Sequence, residues 1–178
     1  MCGTYYLDKK LKYDLERWVI MPEGIFKYGD IHPGDMGFVI MKGHQGMVKE
    51  WGYLLNKKRI FNARIETVLD KKLFKEDALK RRCIIPVNGF YEWDKERTKY
   101  RFFNGGILYL AGIYHENQFT ILTKAAEEVM KDIHARMPVI IAKEDIDLWL
   151  EEGKVYKKTK DPLEKEILSS YVQLSLFD

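Results

Sequence analysis

Apolar positions in this chain fall into short runs separated by polar turns, not into long stripes. Residues 9–20 carry Leu11, Leu15, Trp18 and Val19 at near-helical spacing, which predicts a first helix. Residues 36–42 and 46–55 read as strands, and the charged segment 70–80 reads as an exposed helix. Strand character then dominates, over 82–93, 100–103, 107–114, 119–123 and 139–142. Asn104-Gly105 lies between two of these runs and predicts a tight hairpin, because both residues tolerate positive φ. Helices are predicted over 125–133 and 144–151, the second stopped by Gly153. A last helix is predicted from Asp161 as its cap, with Pro162 where a missing N–H costs nothing and Glu164 in the first turn. Strands outnumber helices and lack regular helical crossovers. The expectation is a single α+β domain, its core β-rich, curved and mostly antiparallel, with peripheral helices.

Composition narrows the function. The chain has 178 residues, 46% hydrophobic and 32% charged, enough to fill one core and solvate one surface. Its charge, 30 − 27 = +3, excludes a polybasic binder, so any nucleic-acid contact has to come from a local patch. No apolar run approaches the roughly 18–20 residues that cross a bilayer. The start Met1-Cys2-Gly3 lacks the basic and long apolar segments of a signal peptide, so a cytoplasmic protein is expected. Two cysteines, Cys2 and Cys83, are too few for a disulfide framework or a cysteine zinc site. No metal and no cofactor are expected.

Cys2 is the most informative position. Removal of Met1 leaves an α-amine and a thiol on one residue, and about a tenth of such an amine is already neutral at pH 7. A 1,2-aminothiol condenses with an aldehyde to an imine and then closes a thiazolidine ring. Three downstream segments supply partners. Residues 62–67 (Asn62-Ala63-Arg64-Ile65-Glu66-Thr67) are polar enough for a site loop. Residues 82–93 run from an apolar strand through an Asn-Gly turn and deliver Glu92 between Tyr91 and Trp93. Residues 134–140 set His134 and Arg136 just after a predicted helix. Cys83 lies within an apolar strand and is expected in the core.

Met-Cys-Gly at the start, then Gly-Phe-Tyr-Glu-Trp at 89–93 and His-Ala-Arg-Met-Pro at 134–138, resembles the SRAP family, the SOS-response-associated peptidases that process abasic sites. The likeness also takes in Trp51-Gly52, 62–67, 110–114 and Thr120–Thr123. It implies a covalent adduct between Cys2 and an abasic site in single-stranded DNA, made by a monomer associated with the nucleoid. By motif position, Asn62 holds the opened sugar or the cysteine terminus, Glu92 orients the α-amine and takes its proton, and His134 shuttles protons to the sugar oxygen. Arg64 and Arg136 pair with phosphates, Thr123 lies on the DNA-binding surface, and Trp51 or Trp93 stacks on a base. The family label also implies peptidase action, at least on the chain's own Met1–Cys2 bond, and leaves a lyase step open.

Two departures bear on DNA binding. The family usually has arginine where this chain has Thr4, which moves a phosphate contact, with Lys57, Lys58 or Arg59 as candidates. The usual Trp-Gly-Leu-Ile-Pro reads Trp51-Gly52-Tyr53-Leu54-Leu55. Other readings stay open on the residues alone: a cysteine peptidase acting on other proteins, an amidotransferase-like hydrolase, or a DNA-binding adaptor with an incidental Cys2. The domain is expected over 1–172, followed by a tail at 173–178. That tail carries Gln173, Leu174, Leu176 and Phe177 in the pattern Gln-Leu-x-Leu-Phe, which resembles the bacterial sliding-clamp-binding motif.

Overall fold

The computed structural model describes residues 2–22, 27–154 and 162–169. β1 (Thr4–Leu7), α1 (Leu11–Leu15) and β2 (Gly29–Ile31) come first. β3 (Met36–Met41) and β4 (Gln45–Trp51) pair antiparallel, then β5 (Tyr53–Leu55) and β6 (Lys58–Ile60) form a small hairpin. β7 (Asn62–Arg64) and α2 (Lys75–Lys80) precede β8 (Arg82–Val87), β9 (Gly89–Trp93) and β10 (Lys99–Phe103). β11 (Leu108–His115), β12 (Gln118–Ala125), β13 (Arg136–Pro138), β14 (Ile140–Ile141), α3 (Ile146–Glu152) and β15 (Glu164–Ser169) follow.

The pairings β12–β4–β3–β8–β11 return to β12, so the larger sheet closes into a barrel. Closure removes the open edges that a flat sheet of apolar strands exposes. β12 is the seam. Phe119 pairs with Tyr114 of β11 on one edge and with Trp51 of β4 on the other. Beyond that point β7 continues the β4 edge and β13 the β11 edge, so Thr123 lies between Arg64 and Pro138. β8, β11 and β12 are buried almost end to end, because the barrel interior takes one face and the second sheet, helices or loops cover the other. This is why their sequences read as unbroken apolar runs.

The second sheet is open, in the order β15-β10-β9-β1-β2. It buries Tyr5, Leu7, Phe90 and Phe102, and the last two rings stack with centroids 5.3 Å apart. The chain crosses from barrel to open sheet at Asn88. Its amide donates to Tyr6 O at 2.9 Å and its Oδ1 accepts from the Asp8 amide at 2.8 Å. α3 docks on the barrel through Trp149, whose indole N–H donates to Cys83 O at 2.9 Å.

Several sequence expectations change. The segment predicted as a final helix is strand β15 at its described residues, laid antiparallel along β10, where register partners outweigh a good helix-start signal. Asp161, its predicted cap, lies outside the described residues. The helix predicted over 125–133 is only a 3-10 turn at Glu128–Met130, because Ala125 is still pairing with Arg136 as the end of β12. Asn104-Gly105 makes a turn but not a hairpin. Asn104 Oδ1 accepts the Gly106 amide at 3.0 Å in an Asx turn that carries the chain from one sheet to the other. A tight two-residue hairpin does occur at Asn56-Lys57, where both φ values are positive and no glycine is present. The first and second predicted helices shorten to α1 and α2, while the predicted strand over 46–55 breaks at Gly52 (φ +105).

Gly112 sets how closely β11 approaches its neighbours. A Cβ there would lie 2.4 Å from Ile85 Cδ1 and 3.0 Å from Thr120 O, and the backbone oxygen cannot give way. Gly112→Ala is expected to cost about 1–3 kcal/mol by overpacking, measured by urea denaturation against wild type.

Candidate active site

The site forms where the first residues of β1, the start of β7 and the end of β9 meet. Cys2 is fully buried. Asn62 donates from Nδ2 to Cys2 O at 2.9 Å, so β7 holds the backbone of the cysteine directly. β7 itself is fixed by parallel pairing with β12, Asn62 opposite Ile121. The β1–β9 register places Thr4 opposite Tyr91, and one step further along brings residue 3 level with Glu92. Glu92 is only 4% exposed. Burial pushes the Cys2 thiol well above its ordinary range, and the negative charge of Glu92 pushes the same way. The thiol is therefore protonated at neutral pH, and its Sγ lies 3.7 Å from Thr4 O. Asn62 Oδ1 is buried beside it without a hydrogen-bond partner among the described residues, and the Tyr5 hydroxyl, likewise unpartnered, faces Gly37 of β3. Buried polar atoms are rarely left so.

His134 and Arg136 approach from the far edge of β12. The Arg136 backbone holds the His134 ring in place, its amide 3.0 Å and its carbonyl oxygen 3.1 Å from Nδ1, which leaves Nε2 clear of both contacts. The Arg136 guanidinium grips Glu66 in a fork, Nη1 to Oε1 at 2.7 Å and Nη2 to Oε2 at 2.8 Å, and Nη2 also donates to Thr123 O at 2.7 Å. These hydrogen bonds hold the Glu66 carboxyl down at about 2. Glu66 falls within the segment recognised as a site loop, yet only the placing of β7 and β13 on the two edges of β12 reveals it as the partner of Arg136.

Cys2, Asn62 and Glu92 are brought together, and the DNA-binding expectations are partly redrawn. Trp51 is fully buried, its Nε1 donating to Phe61 O at 3.0 Å and its ring stacked on Phe119 with centroids 6.3 Å apart. It is a core residue with no face left for a base. Thr123 is likewise fully buried, and its hydroxyl donates to Ala63 O at 3.3 Å, clasping β7 to β12. Arg136 is committed to Glu66, whereas Arg64 and Trp93 reach solvent, Trp93 at 38% exposure. Arg59 is not a replacement for the missing arginine at position 4. It wraps the Gly52 turn, donating to Gly52 O at 3.0 Å and Glu50 Oε1 at 2.8 Å. Lys57 and Lys58 remain exposed on the β5–β6 hairpin. Cys83 is buried in β8, as expected for a core thiol.

A barrel and an open sheet closing over the chain's second residue define a β-rich domain with a buried cysteine beside a buried carboxylate. A profile of the family described as SOS response associated peptidase (SRAP) matches residues 1–176, and the chain belongs to that family. Among relatives, it is 29% identical over 184 residues to the abasic site processing protein YoqW of Bacillus subtilis, covering 84% of this chain and 80% of that one. It is 28% identical over 179 residues to the abasic site processing protein YedK of Escherichia coli, covering 85% and 80%. A solved Bordetella bronchiseptica protein shares the fold with a TM-score of 0.82 at 22% identity, over 94% of this chain and 100% of its own. No described helix is long and apolar enough to cross a membrane.

The Glu66–Arg136 fork gives a pH dependence. A carboxyl held at about 2 when folded, against about 4.3 unfolded, contributes stability that is complete above the unfolded value and lost as pH falls towards 2. Thermal midpoints of wild type should fall more steeply between those values than those of Glu66→Gln. Parallel curves would contradict the assignment.

Proposed function

We propose that this protein captures abasic sites in single-stranded DNA by forming a thiazolidine with Cys2 once Met1 has been removed. The observation that carries the reading is the hydrogen bond from Asn62 to Cys2 O, which fixes a 1,2-aminothiol beside the buried carboxylate Glu92. The names of the relatives support the substrate.

The amine reacts first, because the thiol is held protonated while an α-amine titrates near neutrality. The nitrogen lone pair attacks the aldehyde carbon of the ring-opened sugar. Water leaves, with His134 supplying the proton to the departing oxygen, and an iminium remains. Sγ then bonds the same carbon, its proton passes to Glu92, and the C=N electron pair returns to nitrogen. One water is released and one five-membered ring forms. Asn62 Oδ1 offers hydrogen-bonding capacity for a sugar hydroxyl. Removal of Met1 is assigned to the same site as self-processing.

Arg64 is placed to meet phosphate, and Trp93 to stack on a base beside the lesion. Arg136 acts through Glu66 and Thr123, which hold the loop that bears Asn62. The second partner proposed is the sliding clamp, through Gln173, Leu174, Leu176 and Phe177, which lie outside the described residues. A tether of this kind concentrates the protein at replication sites without added DNA contacts.

Single-stranded DNA with one abasic site should give an adduct that survives denaturing detergent. Cys2→Ala should abolish it, and Cys2→Ser should give a weaker, more reversible oxazolidine. Glu92→Gln and His134→Ala should slow capture by about 10²–10⁴-fold while retaining strand binding. A cross-link found on a lysine or on Cys83 by peptide mass spectrometry would falsify the reading.

A chain lacking residues 173–178 should keep capture and lose clamp binding in a pull-down with the purified clamp. Unfolding of the truncated chain, or no clamp binding by the intact one, would make the tail structural.

A further inference from the structure

Two cations on the outer face of the open sheet each lie against two aromatic rings. Side chains alternate along β9 and β10, so Glu92, Phe90 and Phe102 point inward while Tyr91, Trp93, Lys99 and Arg101 share the outer face. Lys99 Nζ sits 4.1 Å from the Tyr91 ring centroid and 5.5 Å from that of Trp93. No described carboxylate lies within ion-pairing distance of it. Arg101 is held between the Tyr6 and Phe103 rings, at 5.5 and 5.2 Å. Its guanidinium lies across Gly89, whose missing Cβ leaves the space, with Nε 3.2 Å from where that atom would stand. Nη1 reaches Glu166 at 3.2 Å, and Nε–H has no acceptor among the described residues.

We propose that Lys99 and Arg101, mounted on these rings, form a second nucleic-acid contact that grips the single strand where it leaves the lesion site. This rests on the abasic-site reading. Three features point to a strand of nucleic acid. The face meets the site around the end of β9, where Trp93 follows the inward-pointing Glu92 and pairs with Lys99. Rings fix the cations by their faces, which leaves ammonium and guanidinium N–H groups to meet phosphates. Exposed aromatic surface beside them offers the flat contact that bases take without sequence preference. The same face carries Thr4, buried and uncharged, opposite Tyr91. Lys99, reaching over Tyr91 from two strands away, supplies positive charge on this face close to Thr4, and neither Arg59 nor the β5–β6 lysines does so.

The alternative is that these pairs only stiffen the sheet, and the two roles separate experimentally. Binding of lesion-free single strands is measured by fluorescence anisotropy across a salt series. Lys99→Met keeps the aliphatic stem and removes the charge. It should lower the slope of log Kd against log salt by about 0.7, the value for one phosphate contact on a single strand. Arg101→Gln should do the same, and Lys99→Arg should restore the slope. The affinity gained by extending the oligonucleotide on one side of the lesion should disappear in Lys99→Met. Capture at saturating DNA should be unchanged. An unaltered slope in Lys99→Met, with or without a lower melting temperature, overturns the proposal. If wild type binds single strands with the expected slopes but captures no abasic site, the abasic-site reading fails and this surface stands.

Discussion

The structure depends on placing a chain terminus in the interior of a sheet. β1 lies between β2 and β9, hydrogen-bonded on both edges, with Tyr5 and Leu7 buried. Terminal residues usually fray, because few contacts repay the entropy of ordering them. Here the two ladders, Asn62 on Cys2 O and the Asn88 junction on Tyr6 O make that repayment. The reactive residue thereby acquires a fixed backbone and a buried side chain, which a free end could not provide. The barrel serves the same end, since its seam strand β12 fixes β7, and β7 carries Asn62.

Burial changes what kind of nucleophile Cys2 is. Exposed reactive cysteines are activated as thiolates by nearby positive charge. Cys2 has the opposite surroundings, an apolar interior and a carboxylate, and both raise its thiol. A buried, protonated thiol is a poorer target for oxidants and disulfides than an exposed thiolate. In the proposed mechanism it acts only when an electrophile is already bonded to the neighbouring nitrogen and Glu92 can take the proton. Ring closure at one carbon then has the advantage of proximity over any outside thiol.

Much of the strand pattern was legible in the sequence, because buried strands announce themselves as apolar runs. β3, β8, β11 and β12 fall where the runs predict them. The cluster Cys2, Asn62 and Glu92 followed from motif position, and the geometry assembles it. What failed was local chemistry overruled by long-range pairing. Asp161-Pro162 with Glu164 is a sound helix start, yet residues 164–169 supply the missing neighbour of β10. Asn104-Gly105 turns the chain as its residues demand, but into another sheet. β1, β2 and β7 are too short for periodicity to separate from loops. Trp51 illustrates the limit for site residues: an aromatic beside a glycine reads equally as a base platform or as a plug, and only burial decides.

Charge placement explains how a protein of net charge +3 can bind a polyanion. Several arginines are neutralised nearby: Arg136 by Glu66, Arg59 by Glu50 and Arg81 by Asp77. Those pairs hold loops and helices in place and add little to the outward field. Arg64 and Lys99 differ, since neither is paired with a described carboxylate, and Lys99 instead rests on the electron-rich faces of Tyr91 and Trp93. A ring attracts a cation without cancelling its charge, so the field stays directed outward. Distributing a few such uncancelled charges around one buried cysteine gives a local attraction for a strand while the surface as a whole stays near neutral.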